Sequence, residues 1–134
     1  MVDGSGSIGS TNFDLVKSFL SQLVSRLDID SNATRVGLVV YASNVEFTFN
    51  LNRYSTVSSV QAAIASLRYP GGGTNTAAAL AYVRTQMLTA AAGDRGDVPN
   101  ILAVITDGQS NVPAATQVFT TCRYDLSITL RNLA

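Results

Sequence analysis

The sequence contains no histidine, a single cysteine (Cys122) and a single lysine (Lys17) among its nine basic residues. Without an imidazole there is no Ser-His-Asp type triad, and no zinc site built from histidine and cysteine. One cysteine excludes a disulfide within the chain. Nine acidic residues balance the nine basic ones, and the charges are scattered. That pattern argues against a nucleic-acid footprint and against a polybasic membrane patch. No apolar run approaches the ~20 residues of a membrane span, and no secretory leader is legible, since Val2 leads straight into a polar loop. A length of 134 residues suits one domain with a fair core and leaves little room for a second.

The stretch Val2-Asp3-Gly4-Ser5-Gly6-Ser7-Ile8-Gly9 places a carboxylate and two hydroxyls at alternate positions, spaced by glycines. If the backbone curls, their oxygens turn toward one point, and glycine permits the curl. Oxygen donors of this kind suit a hard cation such as Mg²⁺, Mn²⁺ or Ca²⁺ rather than zinc or copper. The same octet also reads as a plain Ser/Gly turn, with Ser10 or Thr11 capping the next helix. The rest of the chain has to decide between them.

Helix and strand signals alternate along the chain. Phe13, Val16, Phe19, Leu20, Leu23, Val24 and Leu27 recur at helical spacing and predict an amphipathic helix over 11–27. The nearly continuous apolar run 35–41 predicts a strand buried on both faces. Ala42-Ser43-Asn44 leaves space only for a tight connection, so 45–49 is expected to return antiparallel as an edge strand. Ser55 is the expected N-cap of a short helix through Leu67. Pro70-Gly71-Gly72-Gly73 breaks the pattern, and 77–92 reads as a further helix. Residues 100–106 read as a second buried strand ending at Asp107-Gly108. Beyond Asn111 the signals weaken to a helix start over 114–119 and a strand over 126–130.

This alternation predicts an α/β fold: a doubly wound, Rossmann-like open sheet, mostly parallel, with one antiparallel edge strand and helices on both faces. Such sheets bind ligands beyond the carboxyl ends of their strands, where the strand order reverses. Asp3 follows the first strand, Asp107 follows the strand over 100–106, and Thr74 lies in a glycine loop entering a helix. In the common doubly wound order the first and fourth strands are neighbours at that reversal, so the three loops converge.

Asp3-Gly4-Ser5-Gly6-Ser7, Gly73-Thr74-Asn75-Thr76 and Ile105-Thr106-Asp107-Gly108 together resemble the von Willebrand factor type A domain. Residues 34–41 and 98–102 resemble strands of its matrix members, and the likeness runs from Met1 to about Gln117. The resemblance implies a metal-ion-dependent adhesion site. Ser5 and Ser7 would bind the ion directly, and Thr74 directly or through water. Asp3 and Asp107 would hold ordered waters, and a partner carboxylate would complete the coordination. It further implies a non-enzymatic module of a secreted matrix or adhesion protein, binding collagen or another extracellular protein. An intracellular or bacterial assembly subunit of the same fold is the alternative. A Mg²⁺-dependent phosphoryl-transfer enzyme with Asp3 as nucleophile is disfavoured: Ser5 stands where a second acid is needed, and no lysine lies near the loops.

Ala77 stands where family members often carry glycine. The whole chain, 1–134, is expected to be one partial domain, truncated at both ends, with a divergent tail over 118–134. With the first strand cut to two residues, two rows of backbone groups would lack partners and folding alone would be in doubt. Asn32-Ala33-Thr34 is a glycosylation sequon on a loop, meaningful in a secreted chain. Arg95-Gly96-Asp97 resembles the integrin-recognised tripeptide, for which an ordinary polar turn is the favoured account. Cys122 reads as a small hydrophobe in the tail.

Overall fold

The computed structural model describes residues 1–108 and residue 111. The expectations for 114–119, 126–130 and Cys122, and the tail over 118–134, fall outside these residues. The elements run β1 (Val2–Asp3), α1 (Gly9–Val24), β2 (Leu38–Tyr41), β3 (Val45–Phe49), α2 (Val57–Ala65) and α3 (Thr76–Tyr82). After α3 come a π-helical turn over Val83–Met87 and a 3-10 turn over Ala90–Ala92.

The sheet is mixed. β1 pairs parallel with β2, Val2 opposite Val40, and β2 pairs antiparallel with β3. On its other side β1 meets Ile105 through a parallel bridge to Val2. The first strand and the segment leading to Asp107 are therefore neighbours, as the doubly wound order requires. Both rows of backbone groups on β1 find partners. Gly4 N–H donates to the Tyr41 carbonyl (2.7 Å), Asp3 N–H to Ile105 (2.8 Å), and Ile105 N–H to Met1 (3.0 Å).

Successive strand residues face opposite sides of a sheet, and β2 is buried along its whole length. Leu38 and Val40 join Phe13, Val16, Leu20 and Val24 of α1 and Val60 and Ile64 of α2 in one apolar cluster. Val39 and Tyr41 join Ala79 and Leu80 of α3 and the following Val83 and Met87 in the other. Helices thus cover both faces, and the continuous apolar run of β2 is explained.

Several expectations shift. α1 starts at Gly9 with Ile8 at its N-cap and no side-chain cap, because isoleucine offers no acceptor and the expected caps Ser10 and Thr11 lie inside the helix. Thr56, not Ser55, caps α2, in a reciprocal box with Ser59. The single helix expected over 77–92 is broken. Thr85 Oγ1 donates back to the Ala81 carbonyl (2.8 Å), a contact that bends helices. Leu88 N–H reaches Val83 in a π turn, and Thr89 leaves the helix to cap the 3-10 turn. The strand expected over 100–106 is reduced to isolated bridges at Ile101 and Ile105. Ile101 is 76% exposed, and β1 offers only two residues for a ladder.

Candidate metal-binding site

Two loops are zipped together by their backbones at the carboxyl end of β1. Gly6 N–H donates to the Gly72 carbonyl (2.8 Å), and Gly71 N–H donates to Gly4 (3.0 Å). A Cβ at Gly4 would lie 2.6 Å from Cγ of Pro70, so only glycine allows this approach. Tyr69 completes the seam through its hydroxyl, which donates to the Ser5 carbonyl (3.0 Å).

Asp3 is fully buried, and both its oxygens are occupied. Oδ1 accepts from Ser5 N–H (2.8 Å) and Oδ2 from Thr106 Oγ1 (2.6 Å). A chain of oxygens then leads outward. Ser5 Oγ lies 3.2 Å from Ser7 Oγ, and Ser7 Oγ donates to Asp107 Oδ1 (3.1 Å). Ser5 is buried, whereas Ser7 and Asp107 are exposed. Ser7, Thr74 and Asp107 line one open cavity of about 390 Å³, together with Gly72, Gly73 and Asn111.

Thr74 is held through its backbone. Its N–H donates to Asn111 Oδ1, and its carbonyl accepts from Asn111 N–H (2.7 Å). Asn75, not Thr74, caps α3, accepting from Ala78 N–H (3.1 Å). Gly73 N–H donates to Ser43 Oγ (2.9 Å). Beneath the loops, Thr76 Oγ1 donates to the Tyr41 hydroxyl (3.3 Å). Burial pushes that phenol up to about 12, with the Asp3 and Asp107 charges adding to the rise.

All five residues singled out from the sequence therefore stand around one pole of the sheet. Sequence reasoning missed Thr106, which orients Asp3, and Asn111 and Ser43, which hold the Thr74 loop. Thr106 was legible as the hydroxyl preceding Asp107; Asn111 and Ser43 carry no local signal.

The donor set fits a cation. It contains three hydroxyls and two carboxylates, and among the described residues no group of three or more His, Cys, Asp or Glu side chains gathers anywhere. Two oxygens bound side by side on an octahedral Mg²⁺ are about 3 Å apart, given Mg–O bonds of about 2.1 Å. The Ser5–Ser7 and Ser7–Asp107 separations already approach that value.

The RGD arginine is otherwise employed. Arg95 donates to the carbonyls of Asn32 and Ala33 (2.8 Å each). Arg35 donates to Asn32 Oδ1 (3.0 Å) and to the Gly93 carbonyl (2.9 Å). Arg95 and Arg35 thus brace two loops at the far pole of the sheet.

A mixed α/β sheet with oxygen-rich loops at the carboxyl end of its first strand defines a Rossmann-like α/β domain. The chain belongs to the von Willebrand factor type A domain family, whose model matches residues 1–130. It is 43% identical over 113 residues to the collagen alpha-4(VI) chain of Mus musculus, covering 83% of this chain and 5% of the collagen. It is 40% identical over 110 residues to matrilin-1 of Homo sapiens, covering 82% of this chain and 22% of matrilin-1. The chain thus spans less than a quarter of the length of these curated relatives, which are secreted proteins of the extracellular matrix. Among solved structures it resembles proximal thread matrix protein 1 from the mussel byssus, described with a zinc-occupied MIDAS motif. That likeness has a TM-score of 0.79 and 25% identity, and covers 97% of this chain and 36% of the mussel chain.

Proposed function

We propose that this chain is a metal-dependent protein-binding module of an extracellular matrix protein and not an enzyme. The observation that carries the proposal is the oxygen chain Ser5, Ser7 and Asp107, which opens into a cavity shared with Thr74. In this reading Asp3, Ser5, Ser7, Thr74 and Asp107 hold a Mg²⁺ or Mn²⁺ ion, with Ca²⁺ as a further hard candidate. The bound ion would supply positive charge for an acidic side chain on a matrix protein such as a collagen. Buried Asp3 aligns the loop by accepting from Ser5 N–H and Thr106. Ser5 and Ser7 contribute neutral oxygens, so little of the cation's charge is cancelled from within. Asp107 and Thr74 border the opening through which the partner arrives.

The engagement of both Asp3 oxygens also speaks against a nucleophilic role. Fully buried beneath these two donors, the Asp3 carboxylate is shielded from direct attack on a substrate arriving from solvent. The matrix character of the relatives favours this reading over an intracellular assembly subunit.

The test is capture of immobilised collagen by the chain in Mg²⁺, Mn²⁺, Ca²⁺ or Zn²⁺, with EDTA as the control and melting curves on the same samples. Zinc is included because it is the ion named for the mussel neighbour. At a cation concentration 100 times Kd the folded state should gain about 2.7 kcal/mol. Thr74→Ala should abolish capture while retaining the fold. Capture that persists in EDTA would remove the metal from the mechanism.

A further inference from the structure

We propose that Asn32 is an N-glycosylation site, placing a glycan at the pole of the sheet opposite the candidate metal loops. The inference rests on the extracellular reading above, since the modification needs passage through the secretory pathway. Asn32-Ala33-Thr34 is the one Asn-X-Ser/Thr triplet in the 134 residues, and X is not proline. Three structural observations support it. Asn32 and its neighbours Ser31 and Ala33 are exposed, so an attached sugar meets solvent. Asn32 adopts a left-handed conformation (φ 61°), which puts it at the tip of a turn and which asparagine tolerates better than most residues. Its Oδ1 accepts from Arg35 Nε (3.0 Å). That contact assigns the amide orientation and leaves Nδ2 as the outward group.

The loop is also fixed in place. Arg95 grips the Asn32 and Ala33 carbonyls, Asn32 N–H donates to Ile29 (2.8 Å), and Thr34 N–H donates to Asp28 (2.7 Å). β2 begins at Leu38 and runs parallel to β1, whose far end carries Asp3. A loop preceding β2 therefore sits at the end of the sheet away from Ser5 and Ser7. A glycan there would shield the arginine brace and leave the cation-facing loops open to a protein partner.

The chemistry balances with a lipid-linked oligosaccharide pyrophosphate as donor and an oligosaccharyltransferase as catalyst. The Asn32 amide nitrogen attacks C1 of the reducing-end sugar, and a C–N bond forms. The bond from C1 to the pyrophosphate oxygen breaks, and the lipid pyrophosphate leaves with that electron pair. The amide nitrogen gives up one proton to a base on the transferase. Transfer acts on the emerging chain, so the test does not depend on the stability of the isolated fold.

The experiment is translation of the chain behind a cleavable leader in the presence of microsomes, with a peptide-N-glycosidase (glycosyl-asparagine amidase) digest and intact-mass measurement. The wild-type chain should gain one oligosaccharide that the digest removes, converting Asn32 to aspartate. Thr34→Ala, which retains Asn32 and the Thr34 backbone donor, should abolish the gain. Thr34→Ser should keep it. A translocated wild-type chain with unmodified Asn32 would overturn the proposal without touching the metal-binding reading. A glycan that survives Thr34→Ala would overturn the assignment to Asn32.

Discussion

The two poles of the sheet use polar groups in opposite ways. At the pole beyond Asp3, oxygens face oxygens: Ser5, Ser7 and Asp107 crowd together with no cationic side chain lining their cavity among the described residues. At the other pole, donors meet carbonyls. Arg95 and Arg35 satisfy the backbone oxygens of Asn32, Ala33 and Gly93, and the Met1 amine donates to Ala103 (2.6 Å). The cavity at this second pole, about 470 Å³, is lined mainly by apolar side chains such as Phe19, Leu23, Leu51 and Met87. The first pole keeps lone pairs in surplus, which is what a cation needs. The second saturates its acceptors within the chain, which is what a brace needs.

The largest expected effect would sharpen this contrast from the braced pole. Burial lowers the Met1 amine to about 5 from its ordinary value near 8. In a chain beginning at Met1, the unfolded state takes up this proton as pH falls below about 8, whereas the folded state resists until about 5. Between those limits the unfolded state holds more protons, so stability drops as pH falls, by up to about 1.4 kcal/mol per unit. Below pH 5 the effect levels off. Urea midpoints at pH 5.5 and 8 should show the slope, and acetylation of the amine should flatten it. A slope that survives acetylation would assign it to other groups.

Next in size is Asp3→Ala at the oxygen-rich pole. It strands the buried Ser5 N–H and leaves the Thr106 hydroxyl only its weaker contact to the Gly108 carbonyl, at a cost of about 1–3 kcal/mol. The variant should also lose any cation-induced rise in melting temperature. Asp3→Asn keeps the shape and should retain more of the stability. If Asp3→Ala melts normally and still responds to Mg²⁺, the carboxylate does not organise this pole.

The smallest effect is Arg95→Ala. Its two hydrogen bonds lie on exposed carbonyls that water can satisfy, so the loss should be about 1 kcal/mol or less. The cation response should be untouched, because the brace is at the far end of the sheet. A changed cation response in this variant would mean that the poles are coupled, and the comparison would break.

Much of this arrangement was legible before any coordinates. The apolar run 35–41 announced a strand buried on both faces, and the heptad-like spacing from Phe13 to Val24 announced α1. The alternation Asp3, Ser5, Ser7 with glycines named the loop that gathers oxygens. Less legible was where elements stop. The helix expected over 77–92 ended early because the Thr85 and Thr89 hydroxyls compete for backbone partners. The sequence also did not show that Arg95 would be spent on two carbonyls more than 60 residues away in the chain.

By itself the sequence determined the kinds of group available: hydroxyls, two carboxylates and glycines on three loops, with no imidazole and no cysteine near them. Local periodicity settled α1, β2 and β3, because helix and strand expose their apolar faces at different intervals. Only the tertiary structure decided which oxygens are still exposed. Asp3 and Asp107 are the same side chain, one at the end of β1 and the other just beyond the bridge at Ile105. One is sealed beneath two donors while the other borders the cavity. That difference arises from the parallel contact between β1 and Ile105 and from the seam between Gly4 and Gly71. Both are long-range backbone contacts, and a local pattern of residues does not encode them.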